Sequence, residues 1–84
     1  MNSIIIDVSV VAKWYLTTEE NESIASQIRE DFLNHRVRLH APSLIYFELA
    51  NVLYRAVKDS RLSFAKAQGA LETFYRLDVV VLVA

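Results

Sequence analysis

The stretch Ile-Ile-Ile-Asp-Val-Ser-Val-Val, residues 4–11, decides the fold class of this 84-residue chain. Its isoleucines predict a strand from Ser3 to Asp7, and the continuous apolar character indicates burial on both faces, as in a parallel sheet. Asp7 then stands at the C-terminal tip of that strand, immediately before a helix predicted over residues 9–16. An aspartate in this position is either a helix N-cap or a ligand at the edge of the sheet.

The rest of the chain alternates helices and strands. The predicted order β-α-α-β-α-α-β indicates one α/β domain with a parallel sheet and right-handed crossovers. After the first strand and helix, we expect a helix over about 19–34, with a capping box from Thr17 to Glu20. A strand over 37–40 follows, and Pro42 then opens the third helix. Ser63 caps the fourth helix, and the last strand runs over 79–83.

Periodicity assigns an inner face to two of these helices and a place to the second strand. The second helix has an apolar stripe of Ile24, Ile28 and Phe32 at four-residue spacing. The fourth helix has an expected inner stripe of Phe64, Ala67, Leu71 and Phe74. Residues 37–40 alternate between apolar and polar, which favours a strand nearer an edge of the sheet.

Composition excludes several classes of protein. Every apolar run falls short of the ~18 residues that a transmembrane helix needs, and Asp7 interrupts the N-terminal apolar segment too early for a signal peptide. The chain has no cysteine, which excludes disulfides, thiolate zinc sites and cysteine nucleophiles and favours a cytoplasmic location. A single glycine excludes phosphate-binding glycine loops.

The net charge of −1 is unevenly distributed along the chain. The charged residues between positions 19 and 31 are mostly acidic, whereas those between positions 55 and 66 are mostly basic. The basic stretch is either a rim that contacts phosphate groups or an ordinary solvated helix face, and charge alone favours the second interpretation.

Glu48 is the second candidate site residue. It interrupts an otherwise apolar helix, where a charged side chain usually costs free energy unless a partner compensates it. At 100° per residue, Glu48 shares one helix stripe with Asn51, Arg55 and Asp59, so the simpler interpretation is a solvated face in which Glu48 pairs with Arg55 or Asn51. The functional interpretation is that Asp7 and Glu48 lie at the same end of the sheet and share one divalent cation.

Two motifs resemble a known family. The segment Ile4 to Trp14 resembles the opening of PIN domains, especially the toxin ribonucleases of VapBC toxin–antitoxin pairs. The segment Ala41 to Leu53 resembles the second motif of that family, with its glutamate and asparagine at the matching spacing. Arg-Leu-Ser at 61–63, an alanine-rich helix and a valine strand are similar to the next part of the family's domain. The resemblance covers residues 1–84 as the N-terminal part of a PIN-like domain, and family members continue through two further strands that supply more aspartates.

The resemblance implies a three-layer α/β fold and an endoribonuclease that depends on Mg²⁺ or Mn²⁺. It implies Asp7 and Glu48 as catalytic metal ligands, Ser9 and Asn51 as weaker supporting residues, RNA as the substrate and a cognate antitoxin as a protein partner. Neither Asp59 nor Asp78 lies in a matching motif, so we expect the 84-residue chain to cleave RNA weakly or not at all.

Two other function classes stay open. The first is a non-catalytic PIN-like interaction module that binds an antitoxin or itself. The second is a doubly wound signalling domain with a phosphate-accepting aspartate, which ranks last because Asp7 has no neighbouring acids.

The apolar ending Val79 to Ala84 is what we expect of a truncated domain. Truncation would expose the edge of the isoleucine strand, and we therefore expect a homo-oligomer, most simply a two-fold dimer.

Overall fold

The described part of the chain folds into a three-stranded sheet and four helices. A computed structural model of the protein describes residues 2–16 and 24–82. The described elements are β1 (Asn2–Ile5), α1 (Val8–Leu16), α2 (Ile24–Leu33), β2 (Val37–Pro42), α3 (Ile45–Lys58), α4 (Phe64–Arg76) and β3 (Val80–Leu82). The predicted order β-α-α-β-α-α-β is therefore confirmed. The Thr17–Glu20 capping box, the side chain of Ile24 and the end of the last predicted strand at Val83 lie outside the described residues.

The three strands are parallel and lie in the order β1-β2-β3. Ile5 pairs with His40, and the N–H of Ile6 donates to the carbonyl oxygen of His40 at 2.8 Å, so the pairing continues one residue beyond β1. The second strand is central among the described strands, and its predicted place nearer an edge is wrong. Its alternation has another cause, because Leu39 and Ala41 are buried while Arg38 points to the opposite, exposed side.

One face of the sheet carries the four described helices. Ile6, which directly follows β1, and the buried β2 residues Leu39 and Ala41 join Val11, Leu49 and Phe74 in a single core cluster. The helices form one contiguous layer, in which α1 packs against α2 and α3, and α3 packs against α4. Each strand is added on the same side of the one before it. Because parallel crossovers have the same hand, the helices of both connections then lie on the same face of the sheet.

The other face of the sheet is open, in that no described helix covers it. Ile5 is 70% exposed, and Val80 and Leu82 on the same side are 40% and 41% exposed. The described residues thus form two layers where the family resemblance implies three. The expectation that the isoleucine strand is buried on both faces is wrong for the same reason, because the described helices cover only one side.

The fourth helix begins and packs largely as its sequence predicts. Ser63 is its N-cap, and the Ser63 hydroxyl accepts a hydrogen bond from the N–H of Lys66 at 3.1 Å. Ala67 and Phe74 are buried and Leu71 packs on the core, but Phe64 is 67% exposed. At 100° per residue Phe64 lies roughly 80° around the helix from Phe74, so it points beside the core.

Pro42 does not open the third helix. It is the last residue of β2 and pairs with Leu82 of β3, so its missing N–H falls at the end of the strand. The third helix begins at Ile45, and its N-cap Leu44 makes no side-chain capping hydrogen bond.

Trp14 joins the first two helices. Its indole Nε1–H donates to the carbonyl oxygen of Ala25 at 2.8 Å, and its ring lies 6.3 Å from that of Phe74. The hydrogen bond satisfies the indole donor while the ring packs against the core. Across residues 2–16 and 24–82, no helix has the length and apolar character needed to cross a lipid bilayer.

The Ser63 cap gives a first testable prediction. Replacing Ser63 with alanine removes the acceptor for the Lys66 N–H, and we expect the free energy of unfolding to fall by about 1 kcal/mol. Urea unfolding followed by circular dichroism measures the change. Ser43→Ala is the matched control, since Ser43 is exposed in the turn before α3 and makes no side-chain hydrogen bond among the described residues. Equal destabilisation by both changes would contradict the capping role.

Candidate functional site

Asp7 caps the first helix with one of its two carboxylate oxygens. Its Oδ1 atom accepts hydrogen bonds from the Ser9 hydroxyl at 2.6 Å, the Ser9 N–H at 3.1 Å and the Val10 N–H at 3.4 Å. The simpler interpretation of Asp7 as a helix N-cap is therefore correct. Its Oδ2 atom accepts no hydrogen bond from any described residue. Asp7 as a residue is exposed, so this carboxylate lies at the surface of the protein.

The surroundings of Asp7 keep it ionised. The hydrogen bond from the Ser9 hydroxyl is the largest influence and lowers the pKa of Asp7 below its ordinary value of 3.8. Partial burial opposes this shift by raising the pKa, and the Val10 and Ser9 backbone N–H groups lower it further. A carboxylate with a lowered pKa carries its full negative charge at neutral pH, which suits a cation ligand.

Glu48 lies in the first turn of α3 and is exposed. The simpler interpretation placed Glu48 on a solvated face, which is confirmed, but the pairing with Arg55 or Asn51 that it included is absent among the described residues, where the ion pair observed joins Arg36 to Asp31 at 3.1 Å. Exposure explains why Glu48 needs no compensating partner, because its carboxylate stays hydrated. A negative charge in the first helical turn is also favoured by the helix dipole.

The topology brings Asp7 and Glu48 to the same edge of the sheet. The parallel neighbours β1 and β2 are paired at Ile5 and His40, and a helix starts three residues after the last residue of each strand. Those two helices, α1 and α3, pack against each other. The carboxyl edge of the sheet therefore carries the cap of α1 and the first turn of α3, with one acid on each.

The supporting candidates occupy different positions. Ser9 contacts Asp7 directly and orients its carboxylate through the 2.6 Å hydrogen bond. Asn51 lies one turn after Glu48 on the exposed stripe that also contains Arg55 and Asp59, as the helical spacing predicts. Asn51 makes no side-chain hydrogen bond within residues 2–16 and 24–82.

Asp59 and Asp78 do not lie at the carboxyl edge of the sheet. Asp78 precedes β3 and so lies at the amino edge of the sheet, opposite Asp7. Asp59 is the C-cap of α3, about 16 Å along the helix from Glu48. In the described part of the chain, no group of three or more histidine or acidic side chains is placed to hold a metal ion. The order of the described strands also contains no reversal, so these three strands form no switch point, the place at which ligands usually bind in such sheets.

An apolar groove between α3 and α4 is a second surface feature, and the sequence interpretation missed it. The two helices line it with residues at one shared spacing, positions 50, 53, 54 and 57 of α3 and positions 64, 67, 68 and 71 of α4. The spacing of these residues can be found in the sequence. It did not indicate a groove, because residues 64, 67 and 71 also fit a stripe that faces the core.

The chain matches none of the protein-family models and none of the curated proteins with which it was compared. The resemblance to PIN domains rests on the motifs at residues 4–14 and 41–53.

The hydrogen bond between Ser9 and Asp7 gives a second prediction. In Ser9→Ala, the pKa of Asp7 should rise toward 3.8, because the largest lowering influence is removed. Carbon-detected NMR titration of the Asp7 carboxyl measures this shift. In the parent protein the ionised, hydrogen-bonded carboxylate stabilises the fold above pH 3.8, and this contribution is lost as the pH falls through the lowered pKa.

Ser3→Ala is the control for this titration, since Ser3 lies on β1 and makes no hydrogen bond to Asp7. An Asp7 pKa that is identical in the parent protein and in Ser9→Ala would show that the cap does not govern the charge of the carboxylate.

Proposed function

We propose that this chain is a divalent-metal-dependent endoribonuclease of the PIN type, with weak activity as an 84-residue chain. One observation carries the proposal: Asp7 and Glu48 occupy the same carboxyl edge, and neither the Oδ2 atom of Asp7 nor the carboxylate of Glu48 is bound to another described residue. The two motifs that resemble the family contain these same two residues.

The available donors fit Mg²⁺ or Mn²⁺ in kind. Both ions prefer oxygen ligands, and Mg²⁺ is commonly held by one or two carboxylates while it keeps several waters. Asp7 and Glu48 would be the protein ligands. No third acid of the described residues is grouped with these two carboxylates, which supports weak affinity, and we therefore expect little cleavage.

The residues of the chain have separable roles in this proposal. Ser9 holds Asp7 by its Oδ1 atom and leaves Oδ2 to a ligand. Glu48 contributes a second negative charge from the rigid start of α3, and Asn51 offers an amide one turn later. A bound divalent ion supplies charge stabilisation to a phosphate and activation of water. Without such an ion, two carboxylates would repel the RNA backbone.

Metal binding gives the third prediction and can be measured without any cleavage assay. Addition of Mn²⁺ should broaden the NMR signals of residues beside Asp7 and beside Glu48 over the same concentration range. Asp7→Asn should reduce both effects at least about tenfold in apparent affinity, because a charged ligand is lost. Asparagine is also a good N-cap, so this variant should stay folded. Asp59→Asn is the matched control, since Asp59 lies at the far end of α3.

Any cleavage of RNA should require added Mg²⁺ or Mn²⁺ and should disappear in Asp7→Asn and in Glu48→Gln. Cleavage that survives a chelator or Asp7→Asn would contradict the proposal. If Mn²⁺ broadens the NMR signals beside Asp7 equally in the parent chain and in Glu48→Gln, the two carboxylates do not share an ion.

A second candidate function is a non-catalytic interaction module that binds itself, and the open face of the sheet favours it. Among the described strands β1 has a free edge, with Ile5 70% exposed beside it, and Val80 and Leu82 extend the apolar surface across the sheet. An unpaired edge strand with exposed apolar side chains invites association with another chain.

Self-association gives the fourth prediction. The parent chain should sediment as a dimer or larger oligomer at micromolar concentration, and Ile5→Lys should shift it toward monomer by placing a charge at the free edge. Leu44→Lys is the control, because Leu44 is 61% exposed in the turn before α3 and outside the sheet. A folded parent chain that remains monomeric across this concentration range would exclude the open face as a self-association surface.

A further inference from the structure

The groove between α3 and α4 has the composition of a binding surface. It encloses about 270 Å³. Leu53 and Ala67 form a buried floor, while the aromatic side chains of Tyr54 and Phe64 are 62% and 67% exposed. Gln68 adds an amide to the lining. Exposed aromatic residues over an apolar floor are typical of protein interfaces, where such residues dominate binding energy.

One end of the groove is cationic. At the turn between the two helices the groove continues, through Val57 and Phe64, into a cavity of about 510 Å³ that Arg61 and Lys66 also line. Lys58 lies at the same end, with its Nζ atom 5.6 Å from the centre of the Tyr54 ring. None of these three cations forms an ion pair with another described residue.

The local field at this end favours an acidic ligand. The N-terminus of α4 begins there and adds a partial positive charge to the cations. Asp59 is the only acid between residues 55 and 66. Over residues 45–76, five cations and three acids leave a net charge of +2. Two copies packed through this surface would bring like net charges together, which disfavours a second copy as the occupant.

We propose that the groove binds an amphipathic helix of a partner protein, with acidic residues at the end that lies over Arg61 and Lys66. Two packed helices with stripes at i, i+3, i+4 and i+7 form the kind of groove that accepts a third helix. The groove extends over eight residues of each helix, about 10 Å from the first to the last, which matches two turns of a docked helix. No residue of the carboxyl edge takes part, so the inference is independent of the nuclease proposal.

A displayed library of helical peptides about 15 residues long tests this proposal. Leucine is fixed at the i, i+3, i+4 and i+7 positions and the other positions are randomised. Selection uses the full 84-residue chain. We expect enriched peptides that carry aspartate or glutamate at one end. Their affinity should fall about tenfold or more for Phe64→Ser, which removes an aromatic anchor, and for Lys66→Glu, which reverses a charge.

Two variants serve as matched controls. Phe47→Ser removes a phenylalanine of α3 that is 66% exposed but lies outside the groove, and Arg29→Glu reverses an exposed charge on α2. Both should bind the selected peptides like the parent chain. Circular dichroism and thermal unfolding confirm that all four variants are folded, which the exposure of the substituted side chains leads us to expect.

Four outcomes would overturn the proposal. The first is that no peptide is enriched more strongly on the parent chain than in a parallel selection on Phe64→Ser. The second is enrichment without a preference for acidic residues. The third is self-association of the parent chain that Phe64→Ser abolishes, which would make a second copy the occupant. The fourth is displacement of the peptides by a single-stranded RNA oligonucleotide whose binding depends on Lys66 and not on Phe64.

Discussion

The parallel pairing of β1 with β2 is the interaction on which the rest of the structure depends. Because the two strands run in the same direction, the helices that come after them start at one edge of the sheet and can pack together. An antiparallel pair would place the two helix starts at opposite edges. Asp7 and Glu48 are far apart in the sequence, and this one pairing is what gives them a common edge.

Asp7 shows how a structural role and a functional role can share one side chain. The capping hydrogen bonds all converge on Oδ1, so they fix the carboxylate plane without using Oδ2. A carboxylate held on one side loses little further freedom when the other side binds an ion, which lowers the entropic cost of binding. The helix cap is therefore compatible with ligand binding and prepares the residue for it.

Local patterns in the sequence predicted the local features of the structure. Periodicity predicted the order of the elements, and side-chain chemistry predicted the Ser63 cap. Both were predictable because they depend on residues that are near one another in the sequence. The open sheet face was not predictable in this way. A run of isoleucines indicates burial on both sides, but Ile5 is exposed because the crossovers place every described helix on the other face.

Phe64 shows where helical spacing stops being informative. Spacing fixes a stripe on α4 but does not determine how far around the helix the core extends, and Phe64 falls beside the core, next to the groove. The position of the neighbouring helix decides this, and no local spacing encodes it. Glu48, in contrast, falls on the exposed stripe that the spacing of α3 predicts. The shared edge of Asp7 and Glu48 was predictable because it depends on strand direction alone.

The hydrogen bond from Trp14 to Ala25 has a practical consequence. Trp14 is the single tryptophan of the chain, and it lies on the helix that Asp7 caps. Its indole ring touches the core through Phe74 and Tyr15, while its N–H is bound to a carbonyl of the next helix. The intrinsic fluorescence spectrum of the protein is therefore the spectrum of one indole at the junction of α1, α2 and the core. Any separation of these two helices would release that indole to water and shift its emission to longer wavelength.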